Sequence, residues 1–416
     1  MPASRTPPPV AAVADRRDAL LETTRRLVGV DTQNPPGDTR ELLAVVESSL
    51  PDLETERHSV DPARPNLLAT LPGDGDRTLC LAGHLDTVPY DGEAWTRDPL
   101  GERDGDRVYG RGATDMKGAL AAMLTVAQAY VDTGTAPPVT LQFLFVSDEE
   151  TGGEAGVDAL VAADRLDADA CVVGETTCEG GRHSVTVADK GSIWLTLTAT
   201  GEAAHGSRPV LGENAIDRLY GALGRLRAEF GSKALTVDPA MEPIIEESID
   251  YYEPAMGAET ARDLFAHPTI NLGTIEGGES VNSVPREAKA EVDVRLTASV
   301  NTPDVLASIR SCVGNCDGVS LTDVSWSVGT YEPVDSPLVE AVSTVAGDVT
   351  GDRIYRRSAT GGGDAKTLRN AGVATVEFGL GTDTAHAVDE YTTAAALLGN
   401  AKAYARLPYA YAEAVS

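Results

Sequence analysis

The sequence predicts an α/β fold, in which a three-layer domain with a mostly parallel sheet is interrupted by an inserted α+β domain. Three observations support this prediction. Buried strands alternate with helices before residue 190, the pattern then changes to strands with alternating apolar residues, and the first pattern returns near Ser336. Alternating strands and helices are typical of a layered parallel sheet. The 416 residues therefore suffice for one discontinuous domain and one insertion.

The first α/β segment follows a Pro-rich tail, residues 1–14, which we expect to be disordered. A helix is predicted over 15–30, where apolar residues recur on neighbouring turns, and Asn34-Pro35-Pro36-Gly37 ends it. The turn residues at 72–76 separate two apolar runs, 66–71 and 78–82, and predict a β-hairpin. The next predicted elements are a helix over 116–131, a strand over 139–146, a helix over 157–163 and a strand over 170–173.

The insertion is expected to span residues 190–332, so that residues 15–189 and 333–416 form the larger domain. Its predicted strands cover 193–200, 269–275, 288–296 and 320–328, and its predicted helices cover 214–230 and 303–312. Two helices beside about four strands make a compact α+β domain. After the insertion, helices are predicted at 337–349, 365–370 and 393–405, and a strand at 374–378.

The charge balance excludes several classes of function. Asp and Glu outnumber Lys and Arg by 64 to 34, which gives a formal net charge of −30. A nucleic-acid binder needs cationic side chains to neutralise phosphates, and an anionic membrane surface attracts basic segments rather than acidic ones. We therefore expect small-molecule partners, no nucleic acid and no membrane. The acidity is spread along the chain and resembles that of halophilic proteins, whose charged surfaces keep them soluble in concentrated salt.

The cysteines and the N-terminal segment predict a cytoplasmic protein. The five cysteines form no even disulfide framework and no C-x-x-C pair, and the N-terminal segment lacks the apolar run of a signal peptide. The longest largely apolar stretch, residues 118–131, is shorter than the roughly 20 residues that cross a bilayer.

Candidate functional residues follow the predicted strands and turns, and they are His84, Asp86, Asp115, Glu149, Glu150, Glu175 and His386. Polar residues just past buried strands lie where α/β sheets bind their ligands. His84 and Asp86 are two residues apart and would project from one face of a strand. The carboxylate can then accept the imidazole N–H that does not face a metal.

Some of these residues also have ordinary structural interpretations. Asp115 lies between Gly110-Arg111-Gly112 and a predicted helix, and it can be an N-cap as readily as a ligand of two cations. Glu149 and Glu150 can form an exposed acidic turn. Because adjacent carboxylates repel each other unless cations screen them, one ligand beside one base is the functional interpretation.

Six motifs, in order from residue 83 to 391, resemble the co-catalytic zinc metallopeptidase and deacylase family. That family includes acetylornithine deacetylase, succinyl-diaminopimelate desuccinylase, aminoacylase and glutamate carboxypeptidase. The motifs are GHLDTVP (83–89), YGRGATDMKGALAAM (109–123), SDEETGG (147–153), VGETT (173–177), HGSRP (205–209) and TAHAVDEY (384–391). One such motif is weak evidence, whereas the ordered set is strong.

The resemblance implies a site with two divalent metal ions; the donor types suit zinc, with cobalt or manganese as alternatives. Asp115 would bridge the two ions. His84 and Glu175 would complete one site, and Glu150 and His386 would complete the other. The resemblance also implies Glu149 as the general base and a cis peptide between Asp115 and Met116, while the spacing given above predicts Asp86 as the group that orients His84.

In this family the inserted domain would be a lid that also forms a homodimer. It would carry His205, which would stabilise the developing oxyanion from a closed lid or across the subunit boundary. Asn282 and Arg295 would bind the substrate, and structural roles stay open for both. The segment 361–366 resembles a Gly-Gly-Thr-Asp-Ala-Arg loop, in which Gly362 and Lys366 would meet the substrate.

Two residues of that segment depart from the family pattern. Gly363 replaces a hydroxyl residue, and Lys366 replaces an arginine that is frequent there. Since lysine lacks the bidentate guanidinium fork, the preference of this loop for a carboxylate stays open.

The expected activity is metal-dependent hydrolysis of the amide bond of an N-acyl amino acid, of the desuccinylase or deacetylase type. Glu149 would take a proton from a metal-bridged water, the resulting hydroxide would attack the carbonyl, and Glu149 would then protonate the leaving amine. A dipeptidase or carboxypeptidase with the same metal site is the nearest alternative. A non-catalytic binding protein is a further alternative, although such a protein has no need of a base.

Overall fold

The chain folds into two compact units in the computed structural model, which describes residues 6–416. The larger unit comprises the residues up to Val187, Glu332–Arg357 and Gly363–Ser416, and the smaller unit comprises Ala188–Tyr331 and Ser358–Gly362. The expected insertion, 190–332, does not include the short segment Ser358–Gly362.

The predicted disordered tail is wrong for its second half. Pro8–Ala14 form a helix, because Pro9, Val10 and Val13 bury their side chains and proline suits the first helical turn. Residues 1–5 of the predicted tail lie outside the described residues.

The secondary structure alternates in the larger unit and is strand-rich in the smaller one. The described helices are α1 (Pro8–Ala14), α2 (Arg17–Val28), α3 (Arg40–Ser49), α4 (Lys117–Thr133), α5 (Val157–Ala162), α6 (Ala215–Phe230), α7 (Glu242–Met256), α8 (Ala258–Ala266), α9 (Thr302–Gly314), α10 (Pro337–Thr350), α11 (Asp364–Asn370) and α12 (Ala394–Ala414). The described strands are β1 (Glu54–His58), β2 (Asn66–Leu71), β3 (Thr78–His84), β4 (Glu102–Asp104), β5 (Arg107–Tyr109), β6 (Thr140–Val146), β7 (Ala170–Val173), β8 (Cys178–Glu179), β9 (Arg182–Asp189), β10 (Gly191–Thr200), β11 (Thr269–Gly277), β12 (Glu287–Leu296), β13 (Val319–Ser327), β14 (Thr330–Tyr331), β15 (Ile354–Ser358), β16 (Ala374–Glu377) and β17 (Tyr391–Thr393).

The main sheet of the larger unit has the strand order β1-β2-β6-β3-β7-β16-β9. Its centre, β6-β3-β7-β16, is parallel. The flanking pairs β1–β2, β2–β6 and β16–β9 are antiparallel, so the sheet as a whole is mixed. The predicted hairpin of β2 and β3 is wrong. The chain does reverse direction between them, but β6 lies between the two strands and pairs with both.

Helices cover both faces of this sheet, which gives the three predicted layers. On one face, side chains of β3, β6 and β7 pack against α5 and α11 in a cluster that includes Cys80, Leu144, Val173, Leu160 and Leu368. The other layer is centred on α4, which contacts α1, α2, α12 and β3 and is buried along most of its length. Strands buried on both faces carry continuous apolar runs, as β3 and β6 do.

The smaller unit is built on the antiparallel sheet β11-β12-β10-β13. Its core lies between one sheet face and the helices α6 and α9, with Leu219, Leu223 and Ile309 among the buried residues. The helices α7 and α8 were not predicted. In α7, Pro243 and Pro254 interrupt the helical pattern. Among residues 6–416, no helix combines the length and apolar character that a membrane crossing requires.

Candidate metal centre

Four of the candidate residues lie at one edge of the main sheet. His84 ends β3, Glu149 and Glu150 follow β6, and Glu175 follows β7. Because β6, β3 and β7 are parallel neighbours, their carboxyl ends meet at the same edge. The sheet topology therefore brings together side chains that are far apart along the chain.

Two loops of the same unit contribute the remaining donors. Asp115 lies between β5 and α4, and the peptide bond between Asp115 and Met116 is cis, as the family resemblance implies. His386 precedes β17 and adopts a left-handed backbone conformation with φ of 61°. Its side chain is half-exposed, whereas that of His84 is buried.

The carboxylate of Asp115 lies between two donor pairs. Its Oδ1 is 3.2 Å from Nε2 of His84, which is also 3.2 Å from Oε1 of Glu175. Its Oδ2 is 2.9 Å from Nε2 of His386, which is 3.4 Å from Oε1 of Glu150. The ligand atoms of His84, Glu149 and Glu175 also lie within 4.8 Å of one another. The five proposed metal ligands thus form two adjoining sets that share Asp115.

This donor set fits a pair of divalent cations. Ligands about 2.0–2.1 Å from a tetrahedral zinc ion stand about 3.3 Å apart, close to the spacings around Asp115. The buried Oε1 of Glu150 accepts no hydrogen bond from any residue between 6 and 416. Such an oxygen is costly unless a cation or another partner satisfies it. Nitrogen and carboxylate donors without a thiolate suit zinc, cobalt or manganese.

The electrostatics of the site favour positive charge. Burial, together with the charge of the neighbouring Asp115, raises the pKa of Glu175 to about 8. Burial also raises the pKa of Glu149 well above its ordinary value, opposed by His84 and reinforced by Glu175. A hydrogen bond to Asp115 and the nearby carboxylate of Glu150 raise the pKa of His386 to about 10. Neighbouring carboxylates contribute to each of these shifts, and bound cations would neutralise their negative charge.

Asp86 does not contact His84 in the predicted way. Nδ1 of His84 lies 3.0 Å from the main-chain carbonyl oxygen of Asp86 but 3.8 Å from its carboxylate. The carboxylate instead accepts hydrogen bonds from the backbone N–H groups of Glu149 and Glu150, each at 3.2 Å. The main chain of Asp86 therefore orients the imidazole, and its side chain holds the turn that carries the two glutamates.

Glu390 is a site residue that the sequence analysis missed. Its buried carboxylate accepts hydrogen bonds from the backbone N–H groups of Gly112, Thr114 and Asp115 at 2.9–3.1 Å, and from Nη1 of Arg111 at 2.7 Å. Arg111 also donates to the carbonyl oxygen of His386. Glu390 thus holds the loop of Asp115 next to the loop of His386. Glu390 lies within the TAHAVDEY motif, and this position was the signal in the sequence that could have identified it as a site residue.

Asn34 was likewise missed, because its Pro-rich surroundings predicted only the end of a helix. Its side-chain amide donates to Asp86 at 2.9 Å and to Asp148 at 3.1 Å. Asp148 also accepts from Arg64 and from the backbone N–H of Ala155. This buried network fixes the turn that precedes Glu149.

The remaining predicted residues lie in the first turn of α11 or in the smaller unit. Lys366 lies in the first turn of α11 in the larger unit, while Gly362 belongs to the smaller unit. In the smaller unit, the loop of His205 meets that of Asn282, since Gly206 N–H donates to the carbonyl oxygen of Asn282 at 2.6 Å. Arg295 lies near the far end of β12, where its Nε contacts Asp293. Asn282 and Arg295 are therefore at opposite ends of one sheet.

The family model described as Peptidase family M20/M25/M40 matches residues 80–410. A probable succinyl-diaminopimelate desuccinylase of Staphylococcus aureus is 31% identical over 361 residues, which cover 82% of this chain and 84% of the relative. A succinyl-diaminopimelate desuccinylase of Methylocella silvestris is 30% identical over 376 residues, which cover 85% of this chain and 88% of the relative.

Solved structures show the same fold. An M20 family metallo-carboxypeptidase from Sulfolobus solfataricus aligns with a TM-score of 0.79 at 20% identity, covering 96% of this chain and 99% of that one. At this identity the likeness concerns the fold alone.

Proposed function

Because the chain belongs to the peptidase family M20/M25/M40, we propose that it is a metal-dependent amidohydrolase that removes the acyl group from an N-acyl amino acid, of the desuccinylase or deacetylase type. The observation that carries this proposal is the double donor set around Asp115, with the half-buried Glu149 beside it. The desuccinylase names of relatives about 30% identical support the substrate class.

Two divalent cations, zinc in the simplest case, would be held by this donor set. His84 and Glu175 would hold one, Glu150 and His386 would hold the other, and Asp115 would contact both. When bound, such cations act as Lewis acids and lower the pKa of water. The carboxylates of Glu390 and Asp86 accept backbone hydrogen bonds from the donor loops and so keep these loops in place.

Glu149 is the proposed general base. It would accept the proton of the attacking water and later deliver it to the leaving amine. Its backbone N–H is held by Asp86, so only its side chain is free to follow the proton. A carboxylate beside the donor set is placed to accept and return a proton.

The smaller unit is proposed to form a homodimer and to supply His205 for stabilisation of the oxyanion. Apolar side chains are exposed on this unit at Val210, Leu211, Tyr220, Ile275 and Val281. We propose that these side chains contribute to the contacts with a second copy of the chain. Nδ1 of His205 pairs with the hydroxyl of Ser207 at 2.8 Å, which leaves Nε2 to face a substrate oxygen.

A cytoplasmic location is also proposed. Cys80 and Cys171 lie opposite each other on β3 and β7 as free thiols, which suits a reducing compartment. The net charge of −30 supports a salt-rich one.

The test is hydrolysis of N-succinyl-diaminopimelate, N-acetylornithine and small dipeptides by the zinc-loaded protein. We expect at least one acyl amino acid to have a higher kcat/KM than every dipeptide. Faster cleavage of dipeptides would replace the deacylase assignment with a peptidase, and binding without turnover of any compound would exclude an enzyme.

A further inference from the structure

Gly363 lies against the carboxylate of Glu149. A Cβ atom built on Gly363 would overlap Oε1 of Glu149, at less than any normal carbon–oxygen contact distance, and would come within 3.6 Å of its Cδ. Apart from the chain neighbours of Gly363, no other described atom lies within 4 Å of that position. The space for a side chain at residue 363 is therefore taken by Glu149 alone.

The backbone of Gly363 does not itself require glycine. Its φ of −142° and ψ of −150° are extended values that other residues adopt. The constraint is steric, and it comes from the end of a flexible side chain rather than from the main chain. A methyl group at this position would consequently displace the carboxylate and leave the fold intact.

The surroundings of Glu149 give its carboxylate few other places. Its backbone N–H is held at 3.2 Å by Asp86, so the main chain cannot follow a displaced side chain. On the same loop as Gly363, the carboxylate of Asp364 is 6% exposed, and its Oδ2 accepts no hydrogen bond within the described part of the chain. A carboxylate pushed toward Asp364 would meet a like charge.

We propose that Gly363 is a positioning residue for Glu149: the missing side chain is what allows the carboxylate of the base to rest against the loop before α11. The proposal depends on the proposed function, in which Glu149 is the base. Gly363 is also the position at which this chain lacks the hydroxyl residue of the family pattern.

The test compares Gly363→Ala with Gly361→Ala in the zinc-loaded protein. Gly361 is two residues away, has no described atom within 4 Å of its Cβ position and is not assigned to the substrate. A misplacement of about 1 Å can cost about 10²-fold in rate. We expect Gly363→Ala to lower kcat about 10- to 100-fold, with KM, zinc content and Tm close to those of the wild type, and Gly361→Ala to change none of them.

A double-mutant cycle with Glu149→Asp identifies the partner. The shorter side chain withdraws the carboxylate from residue 363, so adding Gly363→Ala to Glu149→Asp should lower kcat less than about threefold. An equal fold-loss in both backgrounds, an unchanged kcat in Gly363→Ala, or equal losses in the two glycine variants would overturn the proposal. So would a loss of zinc or Tm confined to Gly363→Ala.

Failure of the proposed function is a separate result. If the zinc-loaded Glu149→Gln variant keeps the wild-type kcat, Glu149 is not the base, whatever the glycine variants do. If Glu149→Gln is inactive and Gly363→Ala is fully active, the base stands and the positioning role of Gly363 falls.

Discussion

Asp115 is the residue on which both halves of the candidate centre depend. Its two oxygens face different partners, His84 on one side and His386 on the other. Glu175, in contrast, lies on the side of His84 only. Replacing these two acids should therefore have different consequences for metal binding.

We predict that Asp115→Ala loses both metal ions and that Glu175→Ala loses one. Each replacement removes a ligand, but only Asp115 serves both sets of donors. The measurement is metal content per chain after dialysis, by inductively coupled plasma mass spectrometry. Two ions retained by Asp115→Ala would show that this carboxylate is not shared.

Glu149→Gln should keep both ions and lose activity by at least about 10²- to 10⁴-fold, the range typical of general acid–base catalysis. An amide can neither accept nor return the proton. The matched control is Glu154→Gln, an exposed glutamate of the same segment, which should behave as the wild type. The measurement is steady-state kinetics of the metal-loaded variants. Wild-type turnover by Glu149→Gln would exclude Glu149 as the base.

The sequence motifs identified the candidate residues of the site but did not predict all of their contacts. The five proposed ligands belong to short motifs and do lie together. The hydrogen bond from His84 goes to the main chain of Asp86, because a two-residue spacing does not determine which oxygen of a residue turns toward a ring. Glu390 was missed because its partners, the N–H groups of the Asp115 loop, leave no trace in the local sequence.

Among the structural elements, the loop between β5 and α4 has the clearest dependence on one side chain. Glu390 accepts hydrogen bonds from three backbone N–H groups of this loop and pairs with the buried Arg111. Removing one partner of a buried ion pair leaves the other charge without compensation. The loop that presents Asp115 should be correspondingly sensitive to Glu390.

Glu390→Gln is expected to lower the free energy of unfolding by about 3 kcal/mol or more and to weaken zinc binding about 10- to 100-fold. The control is Glu102→Gln, whose partner Arg97 is more than a third exposed, so that its loss should cost much less stability. Urea unfolding and zinc competition with a chelator provide the two readouts. Equal effects of the two substitutions would contradict the role of Glu390.

The elements themselves were predictable where their patterns are local. The apolar runs of β3, β6 and β7 and the Ala-rich α4 were recognisable from composition and period. The pairing of β2 with β6 was not, because the turn after β2 indicates a reversal of the chain and contains no information about a strand that follows α4. The helix α1 was missed because prolines at its start resemble a disordered tail.

At the level of the whole molecule, the two units have separate proposed roles. All proposed metal ligands lie in the larger unit, and His205 lies in the smaller one. Metal binding and stabilisation of the oxyanion should therefore be separable by mutation. The composition predicted the acidic character of the chain, whereas its assembly depends on surfaces that composition does not describe.

His205→Ala should retain both ions and lower kcat about 10²- to 10³-fold, the usual loss for one oxyanion donor. If His205 acts across the dimer, mixing inactive His205→Ala with inactive Glu149→Gln restores part of the activity. One site of each heterodimer then combines an intact base with an intact histidine. Absence of recovery after verified subunit exchange would place His205 in its own subunit's site, and loss of zinc in His205→Ala would contradict the separation of roles.

We propose that this chain is a hydrolase whose activity requires two cations at the Asp115 centre. The most direct measurement is hydrolysis of an N-acyl amino acid by metal-stripped protein as zinc is added in known equivalents. We expect negligible activity of the metal-stripped protein and full activity at about two equivalents of zinc per chain. Full activity without metal, or no activity toward any acyl amino acid or dipeptide at saturating zinc, would contradict it.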